Sequence, residues 1–139
     1  MPAVLITGAN RGIGLEFARQ YAADGWEVVA TARRPEAAGE LQRLGVRIER
    51  LDMADAASIA ELAEAMGDLP IDLLIANAGV YGQSGLDAEA WMRVLRVNTV
   101  GPTLLADALR RNVAASALKR MVALTSGMGS IAETSGGSI

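Results

Sequence analysis

A glycine-rich segment near the start of the chain carries its first chemical signal. Residues 7–14 read Thr-Gly-Ala-Asn-Arg-Gly-Ile-Gly and lie between an apolar run and an amphipathic run. Glycines here permit a tight turn and the close approach of a phosphate, and the N–H groups that start a following helix attract an anion. This context predicts a dinucleotide-binding loop, and the alternative is a glycine turn without a ligand. The predicted binding residues are Gly8, Asn10, Arg11, Gly12, Ile13 and Gly14.

Basic side chains follow the second apolar run, where the adenosine end of a dinucleotide would lie. A carboxylate at that position would bind the ribose 2′-hydroxyl group and select NAD, whereas this chain has Ala32 followed by Arg33 and Arg34. Because guanidinium groups bind a phosphate bidentately and with charge assistance, the pattern favours NADP(H), held by Arg11 and Arg33. The alternative is that one of these arginines, Arg34 first of all, is a solvated charge at a helix entry.

The chain of 139 residues contains neither Cys nor His. It therefore has no thiolate nucleophile, no imidazole base, no Ser-His-Asp triad and no Cys or His to bind a metal. We find no carboxylate motif for a metal either, and none is predicted. The net charge of −3 argues against a nucleic-acid partner. The longest uncharged stretch, residues 73–86, is too short to span a bilayer, and with no signal-peptide pattern we expect a cytoplasmic protein without a membrane partner.

Apolar and amphipathic runs alternate along the chain, and these elements must position the residues above. Hydrophobic runs predict short strands at residues 3–7, 28–32, 71–76 and 121–125, and alternation of apolar and charged residues predicts another at residues 46–51. Helices are predicted from Ile13 to about Gly25, from Pro35 to about Leu44, and after the N-caps Asp55 and Asp87. Strands that alternate with helices form a parallel sheet covered on both faces. The predicted fold class is α/β, a Rossmann-type doubly wound sheet with strand order 3-2-1-4-5.

Three of these helices carry apolar stripes that predict which face packs against the sheet. The stripes are Ile13, Phe17, Ala18 and Tyr21 in the first helix, Ile59, Leu62, Ala63 and Met66 in the helix after Asp55, and Trp91, Val94 and Leu95 in the long helix after Asp87. The pair Gly101-Pro102 falls inside the long helix and predicts a kink or break there.

Motifs spread over the whole chain are similar to those of the short-chain dehydrogenase/reductase family. The matches are the cofactor motif at Thr7-Gly8-x-x-x-Gly12-Ile13-Gly14, the adenine-side aspartate at Asp52, the Asn-Ala-Gly motif at Asn77, Ala78 and Gly79, the catalytic asparagine at Asn98 and the catalytic serine at Ser126. Within the family, residues 125–131 are most similar to the carbonyl-reductase-like members related to C-factor and sniffer.

The resemblance implies an NADP(H)-dependent oxidoreductase (EC 1.1.1.-) that interconverts a small-molecule carbonyl and an alcohol. It gives Ser126 the role of donating a hydrogen bond to the substrate carbonyl, and Asn98 the role of holding a relay water. It places Asp52 and the N–H group of Met53 against the adenine. Each also has a plain structural alternative: a turn or helix cap for Asp52, a helix break for Asn98 and an ordinary strand end for Ser126.

The resemblance further implies a Tyr-x-x-x-Lys pair some way after the serine. The only tyrosines are Tyr21 and Tyr81, the only lysine is Lys119, and the sequence ends at Ile139. We therefore expect residues 1–139 to form a single NAD(P)-binding Rossmann domain that is incomplete at its C-terminal end and inactive by itself. The full-length protein is expected to be a homo-oligomer, either a dimer or a tetramer.

A second hypothesis is a non-catalytic sensor or regulatory module that binds NADP(H). Asn98 and Ser126 favour the enzyme, because a sensor has no need of these side chains at these positions. A Tyr-x-x-x-Lys pair encoded downstream of Ile139 would decide for the enzyme.

Overall fold

The computed structural model describes residues 1–82 and 85–132, so the last part of the predicted 1–139 domain lies outside the described residues. The strands are β1 (Ala3–Ile6), β2 (Glu27–Ala32), β3 (Arg47–Arg50), β4 (Leu73–Ala76) and β5 (Arg120–Ala123). The helices are α1 (Gly12–Ala23), α2 (Gly39–Leu44), α3 (Ala56–Met66), α4 (Ala88–Leu95), α5 (Gly101–Ala108) and α6 (Arg110–Ala114). None of these helices, in the part of the chain described, is long and apolar enough to cross a membrane.

The five strands form one parallel sheet in the order β3-β2-β1-β4-β5. Consecutive strands are joined through helices, as parallel pairing requires. The central strand β1 is buried along its whole length, which explains why its sequence is an unbroken apolar run rather than an alternating one. The predicted fold class and strand order are confirmed.

Side chains alternate between the two faces of the sheet, so each central strand contributes to two hydrophobic layers. In β1, Leu5 belongs to the layer covered by α3 and α5. Its neighbours Val4 and Ile6 belong to the opposite layer, which α1 and α2 cover. Helices therefore lie on both faces, as the sequence predicts.

Aspartates begin two of the helices at the predicted positions. The Asp55 carboxylate accepts a hydrogen bond from the Ala57 N–H group at 3.0 Å, and α3 starts there. The Asp87 carboxylate accepts one from the Glu89 N–H group at 3.0 Å, at the start of α4. These bonds satisfy N–H groups that the helices themselves leave without partners.

The stripe of α3 is buried as predicted at Ile59, Leu62 and Met66, whereas the stripes of α1 and α4 contain residues that are exposed. Ile13 is 62% exposed, because it lies in the first turn of α1 and faces the cleft described below rather than the sheet. On α4, Trp91 is 56% and Leu95 48% exposed, which shows that no described element covers this face. For these three residues the predicted packing was wrong.

The irregularity in the long helix begins before the predicted break. Residues Arg96–Val100 form a π-helical turn, and Gly101 donates its N–H group to the Arg96 carbonyl. Pro102 then stands in the first turn of α5, directly after the π-helical turn. The chain therefore inserts a wider turn between α4 and α5, and the sequence located this change to within one turn.

Candidate dinucleotide-binding site

A cleft opens at the carboxyl ends of the strands, at the point where the strand order reverses between β1 and β4. In doubly wound sheets this is the position at which ligands bind. The cavity there has a volume of about 1000 Å³ and is lined by the loops that follow β1, β2, β3 and β4, together with α4.

Thr7 and Asn77 fasten the loop after β1 to the loop after β4. The Thr7 Oγ1 atom accepts hydrogen bonds from the N–H groups of Asn77 and Ala78, each at 3.0 Å. The Asn77 Nδ2 group donates to the carbonyl oxygens of Thr7 and Gly8 at 3.1 and 3.2 Å. Thr7 is fully buried, so these bonds are shielded from water. The two loops thus form one continuous floor of the cleft.

Two glycines let α1 lie against that floor. Gly8 has a φ of +63°, a conformation that residues with a side chain rarely adopt. A Cβ atom at Gly14 would collide with the Gly8 carbonyl oxygen and lie 2.6 Å from the Asn77 Nδ2 atom. Gly14 is buried and, unlike Gly8, is not among the described residues that line the cavity. Gly14 therefore allows α1 to pack closely against Gly8 and Asn77.

The first turn of α1 presents N–H groups at the edge of the cleft. Arg11 precedes the helix and makes no capping hydrogen bond with its side chain, and the turn contains no acidic residue. The first N–H groups of a helix have no partner within it, and the helix dipole adds positive charge there. Because Asn10, Arg11, Gly12 and Ile13 all line the cavity, a phosphate group fits at this end of α1.

The ends of β2 and β3 form another wall of the cleft. Arg33 and Arg34 are exposed and line the cavity, and so do Asp52 and Met53. One carboxylate oxygen of Asp52 accepts a hydrogen bond from the Ala54 N–H group at 3.0 Å. Asp52 therefore closes a turn, which is the structural role considered for it in the sequence analysis. It also lines the cavity.

The cavity is more basic than the rest of the chain. Two carboxylates, those of Asp52 and Glu89, line it together with five arginines: Arg11, Arg33, Arg34, Arg93 and Arg96. Within the described residues, the salt bridges involve other arginines, and none of these five takes part. In a chain of net charge −3, this cluster produces a local positive field that attracts an anionic ligand.

Asn98 anchors the segment that follows the Asn77–Gly79 loop. Its Oδ1 atom accepts a hydrogen bond from the Val80 N–H group at 2.9 Å, and its Nδ2 group donates to the Val80 carbonyl at 2.8 Å. Val80 lines the cavity, as Ala78 and Gly79 do. The π-helical turn thus holds one edge of the cleft in place through a single side chain.

Ser126 lies just beyond the end of β5, at the carboxyl edge of the sheet, and is exposed. Neither Ser126 nor Asn98 is among the described residues that line the cavity. The structure therefore brings the predicted cofactor residues together at one cavity, with Gly14 packed behind them. It leaves the two predicted catalytic residues outside the cavity lining.

The tyrosines and the lysine are far apart in the fold. Tyr81 lines the cavity and is 89% exposed. Tyr21 packs edge-on against Trp26, with ring centroids 4.8 Å apart, in the layer on the α1 side of the sheet. Lys119 precedes β5 and so lies at the opposite, amino edge of the sheet.

Sequence reasoning missed the wall that α4 contributes. Glu89, Met92 and Arg93 of α4 line the cavity, and so does Arg96, which begins the π-helical turn after it. Their spacing of three and four residues puts them on one face of a helix, and this signal was visible in the sequence. It did not indicate a site, because a polar helix face ordinarily faces solvent.

A parallel sheet of this order, with a glycine loop and a helix start where the order reverses, defines a dinucleotide-binding domain of the Rossmann type. The sequence profile of the short chain dehydrogenase family matches residues 2–137. The chain belongs to the short-chain dehydrogenase family, and the resemblance noted from its motifs is confirmed.

Known relatives show how much of such a protein this chain represents. It is 37% identical over 123 residues to the short-chain dehydrogenase anuD of Penicillium roqueforti, covering 78% of this chain and 32% of the relative. It is 33% identical over 114 residues to galactitol 2-dehydrogenase of Agrobacterium fabrum, covering 76% and 44%. A carbonyl reductase from Pseudomonas aeruginosa, solved in complex with NADP, superposes with a TM-score of 0.83 and 32% identity over 95% of this chain and 64% of that one. The chain thus spans less than half the length of these two curated relatives.

Proposed function

We propose that this chain is the NADP(H)-binding part of an oxidoreductase that interconverts a carbonyl and an alcohol. The observation that carries the proposal is the neutral Ala32 followed by Arg33 and Arg34 on the wall of a cleft that also contains a phosphate loop. Alanine has no side-chain oxygen that could accept a hydrogen bond from the ribose 2′-hydroxyl group as a carboxylate does, whereas guanidinium groups suit a 2′-phosphate. The NADP complex of the Pseudomonas aeruginosa carbonyl reductase supports the same cofactor.

The residues of the cleft would hold such a cofactor at three places. The first turn of α1 would bind the pyrophosphate, and Arg11 and Arg33 would bind the 2′-phosphate. Asp52 and the Met53 N–H group would contact the adenine. When bound, NADPH supplies the hydride for carbonyl reduction.

Ser126 would orient the substrate by donating a hydrogen bond from its hydroxyl group to the carbonyl oxygen. Reduction of a carbonyl also needs a positioned acid to supply a proton. Tyr21 is packed against Trp26, and Tyr81 has no lysine four residues later. We therefore assign the acid to the Tyr-x-x-x-Lys segment that the family resemblance implies, rather than to either tyrosine of this chain.

An absorbance assay of NADPH oxidation tests this proposal. With the full-length protein and a panel of aldehydes and ketones, we expect oxidation of NADPH. Ser126→Ala should lower turnover by about 100-fold, the effect typical of losing a hydrogen-bond donor to a developing oxyanion. Ser130→Ala, in the same segment, is the matched control and should retain activity. If no carbonyl supports NADPH oxidation, the proposal fails and the non-catalytic module is favoured.

A further inference from the structure

Gly101 lies in unusually close contact with the loop that follows β3. It is buried at the junction of the π-helical turn and α5. A Cβ atom at this position would collide with the Met53 carbonyl oxygen, and would lie 2.9 Å from the Arg96 carbonyl oxygen and 3.1 Å from the Met53 Cε atom. Carbonyl oxygens belong to the backbone, so a side-chain rotation cannot relieve these contacts.

The backbone conformation of Gly101 does not require glycine. Its φ of −56° and ψ of −55° are ordinary helical values that any residue adopts. Glycine is also a poor helix former compared with alanine, because it loses more conformational freedom. The structural reason for glycine at this position is therefore space: it lets α5 approach the loop after β3.

The loop on the other side of this contact faces the cofactor cleft. Asp52 and Met53 line the cavity, whereas Gly101 is not among the described residues that do so. Gly101 also donates its N–H group to the Arg96 carbonyl and so closes the π-helical turn. Asn98 lies in that turn and anchors Val80. Gly101 thus contacts the Asp52–Met53 loop on one wall of the cleft. Through the π-helical turn that carries Asn98, it is also linked to Val80 on another wall.

We propose that Gly101 is a positioning residue that sets the depth of the Asp52–Met53 loop for the adenine half of the dinucleotide. The inference rests on the proposed function, because it takes the adenine to bind at this loop. A side chain at position 101 displaces the Met53 carbonyl, and with it the Met53 N–H group that would contact the adenine. It also strains the turn that carries Asn98.

The variant Gly101→Ala in the intact protein tests the proposal, with adenosine 2′,5′-bisphosphate as the probe of the adenine half alone. We expect about tenfold weaker binding by isothermal titration calorimetry, the loss expected when one hydrogen bond is displaced. Gly39→Ala is the matched control. Gly39 is also the first residue of a helix, and a Cβ atom there would meet nothing within 4 Å. The control should bind as the unchanged protein does.

Methyl signals of ¹³C-methionine give a readout that does not depend on the ligand. The Met53 methyl signal should shift in Gly101→Ala, because the added methyl group lies against it, whereas that of Met66 in the core should not. An unshifted Met53 signal, or unchanged affinity for the bisphosphate, would overturn the inference. If the unchanged protein does not bind the bisphosphate, the proposed function fails, while the Met53 signal still decides whether the contact exists.

A titration of the unchanged protein keeps the inference testable if the variant does not fold. Saturation with the bisphosphate should shift the amide signals of Gly101 and of the Asn98 side chain, because Gly101 contacts the Met53 loop and closes the turn that carries Asn98. Binding that leaves both signals in place would overturn the inference.

Discussion

Arg33 is the residue at which, in our proposal, the chain distinguishes NADP(H) from NAD(H). It follows Ala32 at the end of β2, lines the cavity and takes part in no salt bridge among the described residues. Arg33→Asp places a negative charge where the 2′-phosphate would bind. We expect NADPH binding to weaken by about 1–3 kcal/mol, the value of a charge-assisted contact, and NADH binding to weaken less or to improve. Isothermal titration calorimetry with both cofactors measures the difference.

The control for this variant is Arg110→Asp, which changes the net charge equally. Arg110 is exposed on α6 and is not among the described residues that line the cavity. Losses of equal size in the two variants would show that the effect is one of overall charge, and would contradict a 2′-phosphate site at Arg33.

Single residues of the cleft differ in how well the sequence reveals them. The glycine loop and the arginines after β2 could be predicted, because their chemistry depends on neighbours along the chain. The contact of Gly101 with Met53 could not, since it arises only when α5 packs against the loop after β3. In the sequence, Gly101 indicated a helix break and nothing about a site.

At the scale of elements, the strands were the most predictable part of the chain. The apolar runs of β1, β2 and β4 reflect their burial within the parallel sheet. The first turns of helices were harder to predict, as Ile13 shows. Helical periodicity assigns a residue to a face, but a residue in the first turn can extend past the sheet and face the cleft instead.

Asp72 ties three strands together at the amino edge of the sheet. Its carboxylate accepts hydrogen bonds from the N–H group of Ala3 at 2.9 Å and from those of Ala117 and Leu118, each at 3.2 Å. The bond from Ala3 lowers the pKa of Asp72 below its ordinary value, and this bond and those from Leu118 and Ala117 outweigh the opposing effect of burial. The starts of β1, β4 and β5 are thereby held in register.

Asp72→Asn should destabilise the fold in a pH-dependent manner. An amide has one acceptor oxygen, so a buried N–H group loses its partner, at a cost of about 1–3 kcal/mol near pH 7. Because the pKa is lower in the folded than in the unfolded chain, the carboxylate stabilises the fold above its unfolded pKa of about 3.9. That contribution is lost as the pH falls through the lower, folded value. Urea unfolding at a series of pH values measures it.

The free energies of unfolding of the two proteins should therefore converge as the pH falls below about 4. Asp68→Asn is the control, because Asp68 is exposed on the loop after α3. A constant difference between Asp72→Asn and the unchanged protein at all pH values would show that the carboxylate charge plays no part.

At the scale of the whole molecule, the reversal of the strand order and the cluster of positive charge coincide at the cleft. The chain is acidic overall, yet five arginines meet at the cleft where the strand order reverses. The fold could be predicted from the alternation of strands and helices, and the site from the position of the glycine loop within it. The clustering of Arg93 and Arg96 with the other three arginines could not be predicted, because it depends on where α4 and the π-helical turn lie in the fold.

The described residues only partly cover the edge of the sheet that β5 forms. In β5, Met121 is 42% and Val122 46% exposed, so this strand is covered much less than β1. The cofactor cleft nevertheless has its walls at β1 to β4 and α4, away from β5. Cofactor binding is therefore expected of the 139-residue chain, whereas carbonyl reduction is not, because Tyr21 and Tyr81 lack the lysine partner of a catalytic acid.

Titration of the 139-residue chain with NADPH and NADH, followed by nicotinamide fluorescence, tests the central claim most directly. We expect saturable binding of NADPH that is about tenfold tighter than that of NADH, the difference made by one charge-assisted phosphate contact. Gly14→Val should abolish both signals, because its side chain would collide with the Gly8 carbonyl. Equal affinity for the two cofactors would contradict NADP(H) as the ligand. No binding to the unchanged chain, or unchanged binding to Gly14→Val, would contradict the site itself.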